Sequence, residues 1–188
     1  MGLDMYLYRK EYVKNWEHTK PENRYHITYA KGNEESVEIN PSYLVTEVGY
    51  WRKANAIHRW FVDNVQGGKD ECQHSYVDSE LLEELLETVN ELLKNVHTVD
   101  GDVPNGTTFY PDGRVEHHTE PGRVITNSEL CERLLPTQDG CFFGNTGYNE
   151  WYIQDLESTK EILEKVLKEH EEDSEKGRWY DYEYHASW

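Results

Sequence analysis

The sequence predicts an α+β fold in which a small antiparallel or mixed sheet packs with about three helices. Three observations lead there. Short stretches near both ends alternate apolar and polar residues, two long stretches are amphipathic at helical spacing, and turn residues separate them. At 188 residues the expected organisation is a single domain over 1–188, long enough to bury one core without disulfides or metal.

Met5 to Arg9 alternates as a strand does. Residues 24–40 read as two short strands turned at Lys31-Gly32-Asn33-Glu34, an antiparallel hairpin. Beyond Pro41, the spacing from Val48 to Val65 predicts a helix closed by Gln66-Gly67-Gly68. Asp78 or Ser79 caps a second helix, on which Leu81, Leu82, Leu85, Val89, Leu92 and Leu93 recur at steps of three and four while Glu80, Glu83, Glu84, Glu87 and Glu91 face out. Residues 97–106 read as a loop, FYPDGRVEHH as a second hairpin turned at Pro111-Asp112-Gly113, and Asn127 to Leu135 as a short capped helix. Cys141-Phe142-Phe143-Gly144 suggests a short buried strand. From Tyr148 a long helix runs through Leu156, Ile162, Leu163, Val166 and Leu167 toward His170. In 174–188, Tyr180, Tyr182, Tyr184 and Ala186 alternate, so this segment is a closing strand or a flexible tail.

With 37 acidic against 19 basic residues the net charge is −18, which argues against direct nucleic-acid binding, because phosphate neutralisation needs clustered Lys and Arg. Such acidity belongs either to a solvated surface or to a mimic of the DNA phosphate array that occupies a host enzyme. The start MGLDMYLYRK lacks a basic segment followed by an apolar run, and no stretch reaches the length of a membrane span. Cys72, Cys131 and Cys141 have no CxxC spacing and suit reduced thiols. The expectation is a cytoplasmic protein with no membrane partner, no cofactor and no metal, self-associating through aromatic surfaces.

The helix expected after Val48 departs from the pattern. On a wheel, Trp51, Ala54, Phe61, Val62 and Val65 share one arc, with His58 inside it, Asn55 at its edge, and Arg52 and Arg59 on the adjoining rim. Val48 to Val62 holds Arg52, Lys53, His58 and Arg59 and no acid, a basic island in an acidic chain. Guanidinium groups match phosphate or carboxylate oxygens, Trp51 or Trp60 can stack on a planar base, and Asn55 can read its edge. The competing view is structural: Arg52 and Arg59 pair with glutamates while Asn55 and His58 satisfy buried backbone groups. Tyr148 and Trp151 are further candidates, since the Gly144-Asn145-Thr146-Gly147 loop before a helix can offer backbone N–H groups to an anion; its plainer reading is a turn.

Three blocks, MGLDMYL, VGYWRKANAIHRWFVDNVQ and LLPTQDGCFFGNTGYNEWYIQDLESTKEIL, give the chain its likeness to other sequences. Through them it resembles a family of phage-borne and prophage-borne proteins. The resemblance implies an accessory protein made during infection of a bacterium, with a counter-defence role such as sequestering a nucleotide-derived immune signal. It is compatible with the basic island, and the expected partner is then a nucleotide-like small molecule or a host defence protein.

Two alternatives stand beside sequestration. The acidic helix faces around Glu83 to Glu91 and Glu157 to Asp173 suit an inhibitor that engages a basic host enzyme. The triplets His26-Ile27-Thr28 and His117-His118-Thr119 resemble the paired HxT strands of two-histidine phosphoesterases, in which each His transfers a proton and each Thr binds phosphate; His26, Thr28, His117 and Thr119 would then be catalytic. Glu116 and Glu120 flank the second triplet where apolar strand residues belong. Cys72, His74, His117 and His118 are potential metal ligands without the spacing of a zinc finger or ribbon, and no GxxxxGK[ST], GxSxG, HExxH or GxGxxG is present.

Overall fold

The computed structural model describes residues 2–14, 16–30, 32, 35–39 and 41–188. It is an α+β fold built on a four-stranded antiparallel sheet. Strand β1 (Asp4–Tyr12) pairs on one side with a strand at Tyr43–Arg52 and on the other with one at Tyr180–Ser187, which in turn pairs with a short strand at Ser75–Val77. Numbered by their place in the chain these are β1, β4, β8 and β5 respectively, so the sheet runs β4-β1-β8-β5. Two separate ribbons complete the strands: β2 (Ile27–Tyr29) with β3 (Val37–Ile39), and β6 (Thr98–Phe109) with β7 (Val115–Ile125). The turn expected at Lys31-Gly32-Asn33-Glu34 lies, Gly32 apart, outside the described residues.

Alternation decides which face of the main sheet is buried. Leu3, Met5 and Leu7, Trp51, Val77, and Tyr182, Tyr184 and Ala186 all point into the core. Gly49 supplies the clearance on β4: a Cβ there would lie 2.8 Å from Ile162 Cγ2 and 3.3 Å from Leu7 Cβ. The opposite face is open and aromatic. Tyr6 stacks on Tyr8 and His185, the His74 and His185 rings stack 4.1 Å apart, and His74 Nδ1 sits 2.7 Å from Glu183 Oε1.

Four helices cover the inner face and its end: α1 (Asn55–Asn64), α2 (Ser79–Asn95), α3 (Ser128–Leu134) and α4 (Glu150–Glu175). Asp78 caps α2 by accepting from Glu80 N, and its Leu82, Leu85, Val89 and Leu92 are buried as the spacing predicts. Asn149 caps α4 by accepting from Trp151 N, and Tyr152, Ile153, Leu156, Thr159, Leu163 and Val166 form its inner stripe. Among the described residues no helix is long and apolar enough to cross a membrane.

Three expected elements differ. The helix from Val48 is a strand up to Arg52 and a helix from Asn55 onward, because Gly49 to Arg52 pairs with β1 and alternates in burial. Across so short a window, the spacing of Trp51, Ala54, His58 and Phe61 satisfies a helix period while pairing with a neighbouring strand selects the extended form. Residues 98–106 are not a loop but the first part of β6, so the second hairpin is a long ribbon. Residues 141–144 are not a strand: Phe143 is buried, Phe142 is exposed at φ 66°, and Gly144 has φ 95°.

Candidate functional site

Where β4 ends, the chain makes a tight corner. Lys53 N donates to Leu3 O at 2.8 Å, Lys53 itself has φ 60°, and Asn55 N closes back on Lys53 O at 2.8 Å around Ala54, whose φ −75° and ψ 69° are those of an inverse γ-turn. A non-glycine residue at positive φ is held there by its surroundings at a cost of about 1–3 kcal/mol, and such residues concentrate at functional sites. The corner turns Arg52 and Lys53 outward and Asn55 inward.

Asn55 is a clamp. Nearly inaccessible to solvent, it donates from Nδ2 to Phe143 O (3.2 Å) and Asn145 O (2.8 Å) and accepts at Oδ1 from Gln138 N (3.1 Å). It thereby fixes the 137–145 segment against α1. Arg59 Nη1 adds a bond to Thr137 O at 3.2 Å, and Thr137 Oγ1 donates to Thr146 O at 3.0 Å. Gly144 lets this segment lie against the corner, since a Cβ there would be 3.1 Å from Lys53 Cβ and 3.3 Å from Lys53 O.

The result is a cavity of about 300 Å³ bounded by Arg52, Lys53 and Asn55, by Thr137, Gly144 and Asn145, and by Trp151, Tyr152, Gln154 and Asp155 of α4. Lys53, Gly144, Asn145 and Trp151 also border a second cavity of about 630 Å³, whose far wall is the β6–β7 ribbon with His117, His118 and Thr119. Trp151 stands between the two, its Nε1 donating to Pro104 O at 3.0 Å while the side chain stays partly exposed. Among the described residues neither Arg52 nor Lys53 has a carboxylate within ion-pair distance, whereas Arg59 pairs with Asp63 at 3.5 Å and Arg123 with Glu150 at 3.7 Å. Burial pushes the Asp155 carboxyl up to about 7.

The basic island therefore divides. Arg52, Lys53 and Asn55 meet at the cavity, Asn55 as a buried support. Trp51 does not serve as a stacking platform: it is 3% exposed in the core, with Nε1 donating to Thr159 Oγ1 at 2.9 Å. His58 is fully buried, Nδ1 2.8 Å from Tyr184 Oη and Nε2 2.9 Å from Asp70 Oδ2, and does not border the cavity. Trp60 packs on Phe61 at the flank of the core, and Tyr148 Oη accepts from Thr137 N at 3.3 Å, bracing the loop from behind. In the Gly144–Gly147 loop, Gly147 N is already bonded to Asn145 Oδ1 at 2.6 Å.

The two HxT triplets do not face one another across a sheet. Thr28 lies on the β2–β3 ribbon, with His26 just before it, and His117 and Thr119 lie on the β6–β7 ribbon. His26 borders a different cavity, with Trp16 and Arg24, and its Nδ1 is 3.5 Å from Glu38 Oε1. His117 Nδ1 instead meets Thr107 Oγ1 at 3.1 Å. His74, offered as a metal ligand, is taken up by Glu183 on the open sheet face.

Thr137, Gln154 and Asp155 were not singled out by the sequence. In a chain with 37 acids one more carboxylate carries no signal. The hint was its position four residues after Trp151, on the same helix face. Comparison with protein-family models, with curated proteins and with solved structures finds no match to this chain.

Proposed function

We propose that the protein binds and sequesters a nucleotide-like anion at the Arg52–Lys53–Trp151 cavity, as a counter-defence protein of a phage would hold an immune signal. The observation that carries this reading is the pair Arg52 and Lys53. Two adjacent cations without a carboxylate partner among the described residues border one cavity in a chain of net charge −18, where acids to pair with them are plentiful. Trp151, 37% exposed, supplies the flat apolar surface that a base stacks upon. The cavity volume falls in the range of small-molecule sites, roughly 300–1,000 Å³. The two longer sequence blocks behind the phage resemblance meet here, one giving Arg52, Lys53 and Asn55, the other Thr137, Gly144, Asn145, Trp151 and Asp155. The reading is binding rather than turnover, because the paired HxT strands that a phosphoesterase needs lie on separate ribbons.

Native mass spectrometry of the purified protein with cyclic, linear and ADP-ribose-type nucleotides tests it. Recovery of a bound nucleotide at unchanged mass supports sequestration; a cleaved product points to an enzyme; no adduct with any of them overturns the reading.

A second reading, an acidic protein that occupies a basic host enzyme, draws on the open sheet face. There Tyr50 and Tyr76, both well exposed, lie on the same face as Asp4, Glu47, Asp181 and Glu183. A salt-sensitive complex lost on substituting Tyr50 and Tyr76 is its signature.

A further inference from the structure

Taking the nucleotide reading as its basis, we infer that the base recognised at this cavity is guanine and that Asp155 reads it. Asp155 follows Trp151 by four residues on α4, and residues so spaced share a helix face. Both border the cavity of about 300 Å³. A ring lying flat on the indole can turn its edge toward the carboxyl and its phosphate toward Arg52 and Lys53, which border the same cavity. The Trp151 ring is fixed for this task by its bond to Pro104 O.

The Asp155 carboxylate forms neither an ion pair nor a hydrogen bond with any described residue; its backbone carbonyl accepts from Thr159 Oγ1 at 2.6 Å. A half-buried carboxylate without a protein partner among the described residues is free to exchange its water for ligand donors. On its pairing edge guanine presents two neighbouring donors, N1–H and the N2 amino group, which meet both carboxylate oxygens. Adenine and cytosine each set a donor beside an acceptor, and the one N–H of uracil stands between two carbonyls. An ionised Asp155 is therefore fully matched by guanine alone, and a site built to bond a donor discriminates strongly against a base lacking it.

Burial raises the carboxyl, so the free protein resists ionising it, and two charge-assisted bonds from guanine offset that resistance. The charged and titratable groups bordering the same cavity are Arg52 and Lys53 from the corner after β4 and Tyr152 from α4 itself.

The test is calorimetric titration of the wild type and of Asp155→Asn with GMP, IMP and AMP, with circular dichroism confirming the fold. Expected at pH 8 is GMP binding at least about tenfold tighter than AMP, IMP between them, and loss of the preference in Asp155→Asn, whose amide donor and acceptor match adenine at least as well as guanine. The ratio of GMP to AMP affinity also falls by about tenfold from pH 8 to pH 6, a comparison in which phosphate titration cancels. Equal affinity for GMP and AMP, or a preference that survives Asp155→Asn, overturns the guanine assignment while leaving the anion site standing. Binding of none of the three overturns the guanine assignment, and the nucleotide reading itself falls only if the mass-spectrometric panel of cyclic, linear and ADP-ribose-type nucleotides also gives no adduct.

Discussion

His58 Nε2 and Asp70 Oδ2 lie 2.9 Å apart at the edge of the core, and this contact is the middle of a chain: Tyr184 Oη stands 2.8 Å from His58 Nδ1, and Trp188 Nε1 donates to Asp70 Oδ1 at 3.1 Å. The chain links α1, the segment between α1 and β5, and β8. Because His58 is inaccessible to solvent, no water replaces a lost partner. His58→Ala is expected to destabilise the protein by about 2–4 kcal/mol and Asp70→Ala by about 1–3 kcal/mol. Urea unfolding checks both, and a change below about 0.5 kcal/mol in either would mean that the chain is not a structural tie.

Asp155 gives a stability profile of known sign. Its carboxyl is raised from 3.8 to about 7 in the folded protein. Below about pH 3 both folded and unfolded forms are protonated and the group contributes nothing. Between about pH 4 and pH 7 the unfolded chain ionises first, which favours unfolding, and above pH 7 the full penalty of about 2–4 kcal/mol is present. Asp155→Asn should therefore raise the melting temperature at pH 8 and leave it unchanged near pH 3. Equal melting curves at pH 8 would show that the carboxyl is not desolvated.

Charge reversal separates the two arginines of the basic island. Arg52→Glu is expected to weaken nucleotide binding by tenfold to more than a hundredfold, the worth of about 1.5–3 kcal/mol of charge-assisted bonding, with the fold intact. Arg59→Glu disturbs only the tie to Thr137 O and the pair with Asp63, and should leave affinity within a fewfold of the wild type. The reverse ranking, read by the same titration, would move the site to the α1 face.

Two glycines respond differently to alanine. At Gly144, φ 95° and the closeness of Lys53 make Ala costly by about 1–3 kcal/mol and displace the corner that aims Lys53, so stability and binding fall together. At Gly49, a Cβ 2.8 Å from Ile162 Cγ2 forces α4 off the sheet, with a comparable loss of stability by overpacking. Affinity measured below the unfolding transition should drop for Gly144→Ala and hold for Gly49→Ala.

Elements with one dominant period were legible in the sequence. The leucine ladder of α2 and the alternation of Tyr180, Tyr182, Tyr184 and Ala186 in β8 both describe their burial correctly. Val48 to Arg52 was not, because its extended form is imposed by β1, more than forty residues away. The site shows the same division. Arg52 and Lys53 stood out by charge, yet what faces them depends on Asn55 holding the backbone of residues 143 and 145, a contact across some ninety positions that no local pattern encodes. His58 and Trp51 misled for the matching reason: polar or amphipathic groups on an apolar arc found partners inside, in Asp70, Tyr184 and Thr159.

The place of β8 bears on how the molecule is made. It is the last strand in chain order, yet it sits between β1 and β5. During synthesis β1 can meet β4 early, but β5 has no neighbour in the sheet until α4 and β8 have left the ribosome. Until then Leu3, Met5 and Leu7 lack the Tyr184 side of their core, and the edge of β1 that β8 will cover is an open template for other chains. Ribosome-bound intermediates stalled before Tyr180 should thus be protease-sensitive throughout the sheet, and the nucleotide cavity, whose floor is the end of β4, should close only in the same late event.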